Sequence, residues 1–181
     1  MNENTLLPGN RNYSHKFRTM PIKHPRCGRF VTPIKDVICY PLNIKYIIQC
    51  IENFHHYFFT LPPDDKYIRY TMEKAMYLVD ETGLAQYNTL KEKGFYSNIL
   101  GTSSVFSIYC DSVAFNKEKM EFTYYGRQRI ERRSNILMRE LVTAGQLKRV
   151  PRTENNPHGL LIVNWRTLLN KDIEQKTKIN Y

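Results

Sequence analysis

The stretch 127–152, RQRIERRSNILMRELVTAGQLKRVPR, constrains this chain more than any other part of it. It carries Arg127, Arg129, Arg132, Arg133, Arg139, Lys148, Arg149 and Arg152, opposed only by Glu131 and Glu140. Placed on a wheel at about 100° per residue, Ile130, Leu137, Met138, Leu141 and Ala144 gather on one side. Arg129, Arg132, Arg133, Ile136 and Arg139 gather on another. The spacing predicts a helix from near Gly126 to Gly145, with one face buried and its neighbour wet and positive. After it come two short β-prone runs, QLKRV and LLIVNW, joined by the turn-rich PRTENNPHG. They read as a hairpin whose loop carries Arg152 at its base and His158 near its tip.

The charge balance points the same way. The net charge is +10, and it is uneven. Residues 1–60 carry eight Lys/Arg against three Asp/Glu, residues 61–120 seven against eight, and residues 121–181 twelve against six. Two basic ends around a neutral middle suit a polyanion partner, and the plainer alternative is a solvated surface. Arginine, rather than lysine, dominates the basic stretch. Its planar fork grips two phosphate oxygens or a guanine edge, and Asn135 beside the basic face is suited to an adenine.

Residues 1–41 read as an extended basic arm. Pro8, Pro21, Pro25, Pro33 and Pro41 break any helix there, and 30–40 suits a short strand. Residues 42–59 suit a helix with Ile47, Cys50, Ile51, Phe54 and Phe58 on one face, ended by Pro62 and Pro63. Asp64 or Asp65 caps a second helix running to Gly83. A short third one ends at Gly94. A further helix is expected from Thr102 or Ser103 through VFSIYCDSVAF, and the tail 166–181 is read as a last helix. No apolar run is long enough to span a bilayer, and the N-terminus has no signal pattern, so the chain is read as cytoplasmic with no membrane partner.

The segment 134–152 resembles the winged helix-turn-helix superfamily. There a recognition helix commonly ends in a pattern like R-x-L-x-x-A-G-x-L-x-R, followed by the wing; here the matching residues are Arg139, Leu141, Ala144, Gly145, Leu147 and Arg149. The resemblance covers 111–165, or 84–165 if the preceding helices belong to it. It implies a recognition helix in the major groove and a wing against the backbone. On that implication Arg127, Arg129, Arg132, Arg133 and Asn135 face DNA, with Arg139 on the same basic side. Lys148, Arg149 and Arg152 touch phosphate, with His158 on the wing.

Other constellations are weaker. His24, Cys27, Cys39 and Cys50 do not form the two tight pairs of a structural zinc site, so no metal or cofactor is expected. FHHYFF (54–59) suits a base-stacking platform, and equally a core or a dimer face. Pairing through residues 42–80 would set two recognition helices on a two-fold site. There is no GxxxxGK[ST], GxSxG, HExxH or GxGxxG, so an enzyme is not expected.

The sequence thus predicts a mainly α-helical α+β chain: a basic arm (1–41), a helical pair (42–83), a winged-helix-like module (84–165) and a C-terminal helix or tail (166–181). The predicted function is sequence-directed binding of double-stranded DNA, as a transcriptional regulator or a plasmid- or phage-type replication or partition factor, with a homodimer as one arrangement. The rivals are an RNA-binding or ribonucleoprotein component and an adaptor whose basic helix docks an acidic protein.

Overall fold

A computed structural model describes residues 43–178. The arm, the short strand at 30–40 and three members of the zinc set, His24, Cys27 and Cys39, lie outside them. Four helices come first: α1 (Ile44–Phe59), α2 (Asp65–Met76), α3 (Glu81–Glu92) and α4 (Phe95–Thr102). Four strands follow: β1 (Val105–Asn116), β2 (Glu121–Glu131), β3 (Asn135–Arg149) and β4 (Leu160–Thr177). The strands form one antiparallel sheet in the order β1-β2-β3-β4. More residues lie in strands than in helices, so the chain is not mainly α.

The helices begin where short polar side chains cap them. Asn43 accepts from the Lys45 amide, Asp64 from the Tyr67 amide and Asp80 from the Thr82 amide. The apolar stripe of α1, Ile47, Cys50, Ile51, Phe54 and Phe58, is buried as its spacing predicts. α2 stops at Met76 instead of continuing to Gly83. The reason is tertiary: Leu78 and Val79 leave the helix to meet β4. The Ile162 amide donates to the Leu78 carbonyl at 2.8 Å, and the Asp80 amide donates to the Ile162 carbonyl at 2.9 Å. Gly83 then falls inside α3, where a Cβ would collide with the Val79 side chain.

The expected recognition helix is instead most of two strands. β2 alternates with period two: Phe122, Tyr124, Gly126, Gln128 and Ile130 are buried, and the residues between them are more exposed. Arg127 and Arg129 are therefore on the outer face of a strand. The chain reverses through Arg132, Arg133 and Ser134, closed by the Arg132 amide donating to the Asn135 carbonyl at 2.9 Å. β3 returns between β2 and β4 and carries the buried run Leu141-Val142-Thr143-Ala144-Gly145. A run buried on consecutive positions presents no period-two pattern to the sequence. Leu, Met, Arg, Glu and Ala favour a helix by propensity, but pairing and burial outweigh the few tenths of a kcal/mol per residue that propensity offers. The same override turns 105–116 and the tail residues 166–177 into strands rather than helices.

Helices and sheet share one core. Phe54, Phe58 and Phe59 surround Trp165, with ring centroids 5.0–6.0 Å apart. The FHHYFF segment is thus spent mainly inside the molecule, not on a base-stacking platform. The apolar faces of α1 and α2 proposed for a dimer contact are likewise buried within the chain's own core.

Candidate functional site

The ten residues expected to grip nucleic acid do not form one surface. Arg127 and Arg129 sit on the outer face of β2, and each has an acid. Arg127 makes a forked contact with Asp111 on β1, its Nε and Nη2 lying 2.8–3.1 Å from the carboxylate oxygens, and that pairing raises the arginine pKa. Arg129 pairs with Glu131, whose second oxygen takes Lys178 at 2.6 Å. The hydrogen bond from Lys178 holds the Glu131 carboxyl below its ordinary range, with Arg129 adding to it. Lys148 and Arg149 lie at the far end of β3, on the order of 40 Å from Arg132 along a strand rising about 3.3 Å per residue.

The expected wing does not project. Asn156 is buried and pins the 150–159 loop against the helices. Its Nδ2 donates to the carbonyls of Leu160 (2.9 Å) and Tyr77 (3.2 Å), and its Oδ1 accepts from the Gly159 amide (3.1 Å). Lys74 reaches Asn155 at 2.9 Å, and the His158 ring lies 3.2 Å from the Asn53 amide of α1. Burial lowers the His158 pKa, and the nearby Arg152 charge lowers it further.

Two of the remaining predicted residues, Arg132 and Arg139, line a cleft of about 290 Å3 between α4 and the sheet, while Arg133, in the β2–β3 turn, and Asn135 do not. Phe95 and Ile99 of α4, Phe106 of β1 and Ile130 of β2 make its apolar lining. Arg132, from the β2–β3 turn, and Arg139, on β3 opposite Gln128, bring charge to it. Asp172 of β4 holds the Arg139 Nε at 2.6 Å, so the guanidinium is fixed by one edge. Arg132 makes no side-chain hydrogen bond or ion pair with any described residue, and Asn135, at the start of β3, has a buried Oδ1 without a partner. Thr102 and Ser104 hydroxyls stand 2.7 Å apart in the cleft wall. A larger depression of about 710 Å3 around the β1–β2 hairpin is an open dish without a concentrated charge or buried polar group.

Sequence reasoning found Arg132 and Arg139 but none of the groups that give them a setting. Asp111 and Asp172 are 16 and 33 residues from the arginines they hold, so no local pattern could show the pairing. The α4 residues carry no motif.

A second polar cluster is wholly interior. His55 is fully buried, its Nδ1 2.7 Å from the Ile51 carbonyl and its Nε2 2.6 Å from the Thr143 hydroxyl. The carbonyl can only accept, so Nδ1 carries the proton and Nε2 accepts from Thr143. The ring stacks on Tyr124 with centroids 3.7 Å apart. Burial pushes the His55 pKa down to about 3, against a smaller opposing effect of the Ile51 carbonyl. A histidine so locked is a structural group and exchanges no proton with a substrate near neutral pH. Cys50 packs in the same core with its thiol pushed up to about 12 by burial. Among the described residues, no three His, Cys, Asp or Glu side chains gather as metal ligands, and no helix is long and apolar enough to cross a membrane.

No protein-family model matches the chain, and no curated protein matches it. Solved structures do. The chain is similar to Agrobacterium tumefaciens VirB8 at a TM-score of 0.57 and 5% identity, over 76% of this chain and 94% of that one. It is similar to a TraE protein, solved in complex with 4-(1H-pyrrol-1-yl)pyridine-2-carboxylic acid, at a TM-score of 0.62 and 11% identity, over 72% and 99%. It is similar to the soluble domain of TrwG of the type IV secretion machinery from Bartonella grahamii at a TM-score of 0.61 and 10% identity, over 74% and 98%. At such identities the likeness establishes the fold alone, four helices followed by one four-stranded antiparallel sheet. It overturns the winged-helix resemblance and, with it, DNA binding, transcription regulation and nucleic acid as the partner. The physical error is one of period: a motif that needs a helix was read onto two paired strands. No catalytic family is indicated.

Proposed function

We propose that this chain is a non-enzymatic component of a type IV secretion machine, working through contacts with other proteins of that machine. The observation that carries the proposal is the extent of the fold match. Residues of this chain cover 94–99% of the VirB8, TraE and TrwG chains, helices and sheet together, so the likeness is to whole domains and not to one shared hairpin. The chemistry agrees with a scaffold. Of the arginines that suggested a polyanion, Arg127, Arg129 and Arg139 are held by acids of the same sheet. The interior histidine is locked neutral.

Deleting the gene in its source organism and measuring export by the type IV secretion system tests the reading. Export should fall to background, a loss of assembly rather than of rate, and return when the intact gene is restored. Export at the parental level in the deletion strain would contradict the proposal.

A further inference from the structure

The cleft between α4 and the sheet has a dry floor and a wet, positive mouth. Ile99, Ser104, Phe106 and Ile130 make the floor and are almost fully buried. Asn98, Thr102 and Arg132 stand exposed at the mouth, and Arg139 comes in from β3. No carboxylate lines it. Thr102 donates its hydroxyl proton to the Asn98 carbonyl at 2.7 Å. Across the 2.7 Å contact between the two hydroxyls Ser104 is therefore the donor, and neither hydroxyl turns a hydrogen to the cleft. The Asn98 amide and the Arg132 guanidinium make no side-chain hydrogen bond with a described residue. Arg139 is held by Asp172 through Nε alone, which leaves both terminal nitrogens. The free N–H groups thus come from three elements: α4, the β2–β3 turn and β3. Glu131, next to Arg132 in the chain, already holds Arg129 and Lys178. Arg132, Arg133 beside it and Arg139, set against Asp172, leave two positive charges at this end of the sheet.

We propose that this cleft binds the phosphate group of a small solute, a phosphate monoester or inorganic phosphate. Donors that arrive from three elements suit a tetrahedral oxoanion, whose oxygens point apart; a planar carboxylate is satisfied by one guanidinium fork. Two positive charges match a monoester, which carries about −1.5 to −2 near pH 7. The apolar side chains lie in the floor and not at the mouth. They keep water from behind the guanidiniums, which strengthens the attraction, and offer little grip to the rest of a ligand. Recognition therefore rests on the phosphate, and the organic part extends through the open mouth into solvent. A concave site of about 290 Å3 favours a solute over a flat lipid surface. α4 does turn its C-terminal, negative end toward the cleft, worth about half a charge. Thr102 and the Ser103 and Ser104 amides already occupy the Asn98, Leu100 and Ile99 carbonyls there, and the guanidiniums outweigh what remains. The inference stands on the cleft alone and goes beyond the secretion reading; an export defect or its absence leaves it untouched.

The test is a titration of the 15N-labelled full-length chain with glycerol 3-phosphate and with inorganic phosphate, followed by amide chemical shifts at an ionic strength of about 0.15 M. Dimethyl phosphate, a diester with a single charge, and glycerol serve as the other ligands, and sodium chloride alone is the control for ionic strength. Glycerol 3-phosphate and inorganic phosphate should give saturable shifts at Asn98, Ser104, Arg132 and Arg139. Dimethyl phosphate lacks the second charge and one terminal oxygen and should bind at least about tenfold more weakly. Glycerol should not bind. Arg132→Gln should weaken glycerol 3-phosphate binding at least about tenfold while the spectrum away from the cleft stays in place, which shows that the variant is folded. Arg139→Gln should do the same, and Arg149→Gln, at the far end of β3, should leave the affinity unchanged. No saturable shifts, shifts that sodium chloride alone reproduces, equal binding of monoester and diester, or a loss in Arg149→Gln as large as in Arg132→Gln would overturn the proposal. Sedimentation with phosphatidic acid vesicles, without a response to glycerol 3-phosphate, would overturn the assignment to a small solute.

Discussion

At the scale of single residues, His55 couples the two layers, because α1 supplies the ring and β3 supplies the hydroxyl that its Nε2 needs. Its pKa is depressed in the folded chain, from an ordinary 6.5 to about 3. The unfolded chain therefore takes up a proton below pH 6.5 that the folded chain refuses. Stability from this group is complete above 6.5 and is lost as pH falls toward 3, by up to about 1.4 kcal/mol per pH unit. Urea unfolding should show a loss of about 2 kcal/mol between pH 6.5 and 4.5, above the range where most carboxylates titrate. Thr143→Val should cost about 1–3 kcal/mol at pH 7, since it strands the ring nitrogen. In a His55→Leu, Thr143→Val double variant the slope over that window should flatten. A slope unchanged by the double substitution would assign the acid sensitivity elsewhere.

At the scale of elements, the molecule depends on connections that are far apart in sequence. Asn156 ties the β3–β4 loop to Tyr77 at the end of α2, and Asp80 caps α3 while also accepting from the Asn164 amide at 2.9 Å, where the backbone turns through a positive φ. Burial works against the Asp80 charge, yet the hydrogen bonds from Thr82 and Asn164 prevail and its pKa is lowered. Asn156→Ala removes the three hydrogen bonds that a buried side chain makes, and its thermal unfolding should show a loss of about 2–4 kcal/mol. A loss below about 0.5 kcal/mol would mean that the loop stands free of the helices, as a wing would.

How much of this was legible follows from where each signal resides. α1 was readable because its stripe buries against whatever lies beneath it. The cap at Asp64 and the left-handed Gly94 were readable because turn chemistry is local. The pairing of QLKRV with LLIVNW was also correct, with Gln146 opposite Val163 and Arg149 opposite Leu160. What stayed hidden is β1, the second half of β2, most of β3 and the outer part of β4; 116–126 reads as a turn and a short extended piece, as the β1–β2 turn and the first half of β2 are. Phe122, Tyr124, Gly126, Gln128 and Ile130 do alternate, but two of the five are Gly and Gln, which blunts an apolar signal. Gly126 is small because a Cβ there would stand 2.7 Å from the Tyr109 carbonyl and from the Tyr124 ring. β4 hides its period differently: its pairing with β3 slips at three places, so inward and outward positions change along the strand. Of the candidate site, the arginines were visible and their acids were not.

At the scale of the whole molecule, one assignment decides the rest. If residues 127–149 are strands, their arginines are shared between an ion-paired sheet face, a cleft and a strand end, and the chain has the fold of the secretion-machinery domains it matches. If residues 127–145 are the helix that their wheel predicts, the arginines share one continuous face. Backbone chemical shifts and cross-strand nuclear Overhauser effects on the labelled full-length chain separate the two directly. The account predicts extended shifts throughout 127–131 and 135–149, with contacts linking Ile130 to Leu137 and Arg127 to Glu140 across β2 and β3, and Val142 to Leu169 across β3 and β4. Helical shifts over 127–145, with sequential amide contacts and none between strands, would contradict it.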